Sequence, residues 1–189
     1  MTEAADTTIG GQAQPRRTAA HDALAVFLGD WKAEGTSYGG TDQSGGDPRA
    51  HGVPWVSEHS GRWYTGEFFL VQDEKARPGG SVFDTLSVMG VDPETGEYFA
   101  RCFENHGFYR HYRVTRDGEV WSLAGETERA TITFSDDGRT QTIAWEWKPD
   151  GACCRCATAW PPASTAERKA VPVRHTFALP HVRTSTVQD

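Results

Sequence analysis

Between residues 31 and 148 the chain repeats one pattern, a short run alternating apolar and polar residues and then a turn rich in glycine, proline, asparagine or aspartate. The alternating runs lie at 31–38, 55–60, 62–72, 82–91, 97–104, 108–116, 119–125, 130–135 and 140–148. Alternation is what a strand needs, because successive side chains point to opposite faces. Asp92-Pro93-Glu94-Thr95-Gly96 is a strong turn sequence, with proline fixing φ and glycine supplying a left-handed position. Asp117-Gly118 predicts a two-residue type I′ hairpin. The 55–60 and 62–72 strands are expected to meet near Gly61, Gly66 to mark a bulge or close approach, and 73–80 to form a polar turn. No helix of crossover length separates neighbouring runs, which argues against a parallel sheet. Sequential hairpins of this kind predict an all-β fold, an antiparallel up-and-down barrel.

The flanks read differently. Residues 1–19 carry no periodicity and read as a disordered lead-in. Ala20, Leu24, Phe27 and Leu28 recur at helical spacing, so a short helix is expected over 20–28, stopped by Gly29. The barrel domain is expected at 20–151, with an irregular tail at 152–189. One domain suits 189 residues, and 7 Trp, 9 Phe and 5 Tyr supply bulk for its interior.

A formal net charge of −7 argues against nucleic acid, whose phosphates need clustered Lys and Arg, and against anionic membrane surfaces. No apolar run approaches the ~20 residues of a bilayer span. Arg16-Arg17 is not followed by the apolar stretch of an export signal. A cytoplasmic location is therefore the default expectation, and a homodimer is left open.

Phe27-Leu28-Gly29-Asp30-Trp31-Lys32-Ala33-Glu34-Gly35-Thr36-Ser37-Tyr38 resembles the opening of a bacterial family, the domain of unknown function numbered fifteen seventy-nine. Gly90-Val91-Asp92-Pro93-Glu94-Thr95-Gly96-Glu97-Tyr98, Thr133-Phe134 and Trp145-Glu146-Trp147 resemble later parts of it, so the likeness covers about residues 22–150. More distantly, the opening resembles the nitrobindin-like haem-binding barrels. The resemblance implies a calycin-like (lipocalin-like) barrel with the helix-end glycine and Trp31 at its floor, and it brings no activity with it. Nitrobindins hold haem through a histidine near the C-terminus, whose setting His175 and His181 do not reproduce.

After Gly151 the alternation stops, and Cys153, Cys154 and Cys156 crowd together. Adjacent cysteines point to opposite faces of a strand and no fourth ligand stands at zinc spacing, so no metal site is expected. Two readings stay open here: a disordered tail with incidental thiols, and a frameshift product of an arginine-rich, GC-rich gene. The second would leave the barrel without its native closing strand.

The densest set of chemically able groups is at 104–113. On a strand Tyr109, His111 and Arg113 share one face, while Phe108, Arg110 and Tyr112 share the other. If the first set lines the barrel, His111 and Tyr109 become candidates for proton transfer, with Arg113 orienting a carboxylate or enolate. The competing reading makes that face ordinary solvated surface. His106 reads as a loop residue, and His21, His51 and His59 are ambiguous. Glu34, Glu67 and Glu146 are carboxylates of unknown spacing. Trp31, Trp55, Trp63, Trp145 and Trp147 read mostly as core. No nucleophile elbow, zinc-protease helix, phosphate loop or dinucleotide fingerprint occurs, so no cofactor is expected. The leading expectation is a barrel holding a small apolar or aromatic molecule, lined by Tyr64, Phe68, Tyr109, His111 and Trp145. The alternatives are a cofactor-free isomerase or cyclase and a haem-binding protein.

Overall fold

The computed structural model describes residues 14–38 and 52–147, together with the backbone pairing of 8–9, 12–13 and 164–168. In chain order the elements are β1 (Thr8–Ile9), β2 (Gln12–Ala13), α1 (Ala19–Ala23), a 3-10 turn (Leu24–Phe27), β3 (Gly29–Ser37), β4 (Val53–Tyr64), β5 (Phe69–Ala76), β6 (Phe83–Val91), β7 (Tyr98–Glu104), β8 (Tyr109–Asp117), β9 (Val120–Ala124), β10 (Glu128–Phe134), β11 (Thr140–Trp147) and β12 (Ser164–Arg168). Strands β3 to β11 pair in sequence order, each antiparallel to the last, and curl. The short β12 fits between β11 and β3 and closes the ring.

Several local expectations need correcting. β12 places a closing strand inside the stretch read as an irregular tail, and β1 pairs with β2 inside the lead-in. The cysteines at 153, 154 and 156 lie outside the described residues, as does the turn expected at 149–151. Strand β4 does not stop at Gly61 but runs through it. A Cβ built on Gly61 would sit 2.1 Å from the Phe27 carbonyl oxygen, so the missing side chain is what lets the helical segment lie across β4. The real turn is 65–68, where Thr65, Gly66 and Glu67 all have positive φ (47°, 63° and 62°). Two non-glycine residues there are strained. Glu67 is held by Arg17, which also meets Asp22 at 2.7 Å and stacks over Trp63. Residues 73–76 belong to β5, and the turn begins only at Arg77. At the 117–120 hairpin the central pair is Gly118-Glu119 and only Gly118 has positive φ (58°), which excludes type I′ and fits type II′.

The Asp92 turn forms as expected. Its carboxylate accepts the Glu94 and Thr95 N–H groups at 2.9 Å, and those bonds hold its acidity below the ordinary carboxylate range. The helix starts at Thr18, whose backbone N–H donates to Nδ1 of buried His21 at 3.1 Å. Leu24 and Phe27 drop from this segment into one end of the barrel, onto Leu70, Met89, Ala100, Val114, Trp121, Leu123 and Ile132. Phe27 meets Trp121 and Phe134 edge-on at 5.1 and 5.2 Å. Each such buried side chain contributes roughly 1.5–3 kcal/mol, so Leu24 and Phe27 together tie the helical segment to the barrel by about 3–6 kcal/mol. Among the described residues no helix is long and apolar enough to cross a membrane.

Candidate functional site

Strand pairing decides which side chains face inward. On β5 these are Leu70, Gln72, Glu74 and Ala76, and opposite them in register stand Trp63, Gly61, His59 and Ser57 of β4 and Met89, Ser87, Thr85 and Phe83 of β6. The series continues through Ala100, Cys102 and Glu104 of β7, then Arg110, Tyr112 and Val114 of β8. Along this face the packing changes. At the helix end Leu70 is 0% exposed and Met89, Ala100 and Val114 are buried. Toward the far end Gln72, Glu74, Thr85, Ser87 and Cys102 still face inward and are only partly buried, while the Thr85 hydroxyl oxygen and the Glu104 side chain are enclosed. The barrel is therefore tightly packed in its helix half and less tightly packed in the other.

The less tightly packed half is polar. The His59 imidazole stacks on Trp31 (centroids 5.9 Å apart, planes 13°), and burial lowers its pKa to about 4, so it is neutral at physiological pH. Gln141, 2% exposed, faces that ring, but its Oε1 makes no hydrogen bond of acceptable geometry. Glu74 is opposite His59 in register, and burial raises its carboxyl pKa above the ordinary range. The Ser57 hydroxyl faces that carboxyl, yet neither Ser57 Oγ nor Thr85 Oγ1 reaches a partner at bonding geometry. Ser87 Oγ donates to Cys102 Sγ at 3.1 Å, and burial raises the thiol pKa.

At the mouth, Arg110 bridges two carboxylates, pairing with Glu104 and placing Nε 3.1 Å from Glu128 Oε1. Tyr112 donates its hydroxyl to the same Glu128 oxygen at 2.9 Å, and burial with that carboxylate pushes the phenol pKa up. His106 Nδ1 lies 3.5 Å from Glu104. Aromatic rings border these groups: Trp55 meets Phe83 at 5.8 Å, Phe83 meets His106 at 5.8 Å, and Trp145 meets Tyr112 edge-on at 5.8 Å.

Of the residues expected to line the barrel, Trp145 does so, sharing the inner face of β11 with Gln141 and Ile143 and remaining 39% exposed near the mouth. The others do not. Tyr109, His111 and Arg113 all lie on the outer face of β8, exposed, because Tyr112 and Val114 take the inside. His111 meets Arg101 there at 3.0 Å, and Tyr109 stacks on Phe103. Tyr64 ends β4 on the outer side, 68% exposed. Phe68 sits in the 65–68 turn, edge-on to His21 at the helix end. Glu34 faces outward, Glu67 pairs with Arg17, and Glu146 pairs with Arg129. The inward carboxylates are Glu74, Glu104 and Glu128. Glu74 falls within the stretch expected to be a turn. The signal for its place is the alternation Leu70-x-Gln72-x-Glu74-x-Ala76, which continues the strand past Gln72.

No family model and no curated protein matches this chain.

Proposed function

We propose that the protein binds one small molecule in the less tightly packed half of its barrel, with an apolar or aromatic body against Trp55, Phe83, Tyr112 and Trp145 and polar atoms against the Glu74–His59 layer. The observation that carries this reading is the contrast along the inner face. The same strands bury Leu70, Met89 and Val114 almost completely but leave inward-facing Glu74, Thr85 and Ser87 only partly buried. A lumen serving only stability would be filled, since empty volume costs about 24 cal/mol per Å³. Aromatic walls with a few convergent polar groups are what small-molecule sites use. Membership of the calycin-like family resembled at 27–38 belongs to this proposal, supported by the barrel itself and by the helical segment that packs against β4 beside Trp31.

Proton transfer is the second reading. His111 and Tyr109 are outside the barrel, so such chemistry in the lumen falls to neutral His59 and the carboxyl of Glu74, which oppose each other in register.

Native mass spectrometry of the full chain, purified without refolding and compared with its denatured mass, tests the binding reading. A mass excess lost on denaturation is expected, and its value separates haem from a smaller metabolite. The Ser87→Leu variant, which adds volume to the less tightly packed half, is expected to fold and to lose the excess. Equal native and denatured masses, together with no uptake of an apolar fluorescent probe, would overturn it.

A further inference from the structure

The outer face of β7 and β8 carries a patch that lumen binding does not use. Register sets three rows across it: Phe99 beside Arg113, Arg101 beside His111, and Phe103 beside Tyr109. Leu86 of β6 extends the last row and Val88 the middle one. Phe103, Tyr109 and Leu86 are 46%, 65% and 44% exposed, and Phe103 stacks on Tyr109. Large apolar side chains gathered in solvent mark a contact surface. The second observation is electrostatic. Elsewhere on this surface cations meet carboxylates: Lys32 pairs with Glu58, Arg62 with Asp30, Arg77 with Asp84 and Arg129 with Glu146. Arg101 and Arg113 meet no carboxylate among the described residues, although the chain has a formal net charge of −7. Arg101 touches the His111 ring at 3.0 Å and the face of Phe99 at 5.6 Å, and Arg113 makes no ion pair or hydrogen bond among the described residues. An acidic chain thus leaves two unmatched guanidinium groups on neighbouring strands, beside exposed aromatic rings.

We infer that this face docks an extended, acidic segment of another protein, with carboxylates at alternate residues followed by an apolar side chain. Rows on a strand face repeat every two residues, about 7 Å, and side chains on one side of an extended peptide repeat at the same interval. One segment laid along β7 and β8 therefore sets a carboxylate on Arg113, the next on Arg101, and an aromatic or aliphatic group on Phe103 and Tyr109. The pattern is acidic-x-acidic-x-apolar, read in either chain direction. Arginine and tyrosine are also the side chains that carry most energy at protein interfaces. Two cations suit two carboxylates. They are too few to hold the polyanionic backbone of a nucleic acid, or an anionic bilayer, against the charge of the whole chain. A second copy laid on the same face brings Asp73 as its carboxylate, and Lys75 already holds that group at 3.0 Å.

The test is an NMR titration of the isotope-labelled full chain at low salt with two capped peptides, Gly-Glu-Ser-Glu-Ser-Phe-Gly and the same sequence with both glutamates replaced by glutamine. The acidic peptide is expected to shift amide signals of β7 and β8 and to bind about fivefold or more tightly than the neutral one, as two exposed ion pairs imply. That advantage is expected to shrink as salt is added. The double variant Arg101→Gln with Arg113→Gln changes exposed side chains, and its spectrum reports whether the fold is kept. It is expected to bind both peptides equally. Phe103→Ser is expected to weaken both peptides alike. Equal binding of the two peptides to the wild-type chain, shifts confined to other strands, or no shift at several millimolar peptide would overturn the inference. So would tighter binding of an oligothymidylate or of phosphatidylserine vesicles than of the acidic peptide. Self-association through this face, read as a concentration-dependent sedimentation coefficient abolished by Phe103→Ser, would overturn it in favour of a second copy.

Discussion

Acid is expected to strike this barrel first at His59. The imidazole is enclosed by Trp31, Gln141 and the β5 face, and burial lowers its pKa from the ordinary 6.5 to about 4. The unfolded chain therefore takes up a proton near pH 6.5 that the folded chain refuses until about pH 4. The stability linked to this group is fully present above 6.5 and is lost as pH falls through the lower value. The drop corresponds to about 3 kcal/mol in all, of which about 2 kcal/mol is gone by about pH 5. Against a typical domain stability of about 5–15 kcal/mol, that is a shift of roughly 1 M in a urea midpoint. Glu74 works the other way. Its raised pKa contributes stability below the ordinary carboxylate value, which is lost as pH rises through the raised one. The wild-type curve alone therefore mixes two opposed effects. His59→Gln removes one of them, so the measurement is the wild-type minus variant difference in unfolding free energy at neutral pH and at about pH 5. That difference is expected to fall by about 2 kcal/mol on acidification. Parallel curves would refute the reasoning, as would an NMR titration placing the His59 midpoint near 6.5.

The packing implies three further outcomes. Gly61→Ala sets a Cβ against the Phe27 carbonyl oxygen, so the helical segment must lift off β4; about 1–3 kcal/mol is expected to be lost, read from the thermal midpoint. Tyr112→Phe removes the 2.9 Å bond to Glu128 and is expected to lower the urea-unfolding free energy by about 1–2 kcal/mol. The combined replacement of Tyr109, His111 and Arg113 by alanine touches only the outer face of β8. It is expected to leave the native-mass excess unchanged and the stability within about 1.5 kcal/mol, about 0.5 kcal/mol for each surface substitution; loss of the bound mass would return these residues to the functional site.

The number of strands from β3 to β11, their antiparallel order and the short helix before them are legible in the residues. Those features obey local rules: alternation, glycine and proline at turns, and helical spacing over Ala20 to Phe27. The misplaced boundaries are local in origin too. Gly61 and Gly66 both have polar neighbours, Ser60 and Arg62 for the first and Thr65 and Glu67 for the second, and nothing in those neighbours says that the first is crossed by a helix and the second is the turn itself. In the same way the polar residues from Asp73 to Lys75 look like turn, although they continue β5 and carry Glu74 to the inner face.

The candidate site lies further from reach. Alternation states that Tyr109, His111 and Arg113 oppose Arg110 and Tyr112, and it says nothing about which set faces in. That choice is made by closure: once β7 and β9 flank β8, Val114 and Tyr112 meet Ala100, Leu123 and Trp121, and the odd-numbered face is left to water. Likewise His59, Glu74 and Gln141 stand far apart along the chain, and only the curl of the sheet brings them to one lumen. Adjacent residues suffice to specify a barrel of antiparallel hairpins with an aromatic interior, because strand periodicity and turn chemistry are properties of neighbours in the chain. Which face is the inside, where the interior is packed less tightly, and which polar groups lose water without gaining partners are settled in three dimensions. Burial depends on neighbours in space, and closure supplies those from distant strands.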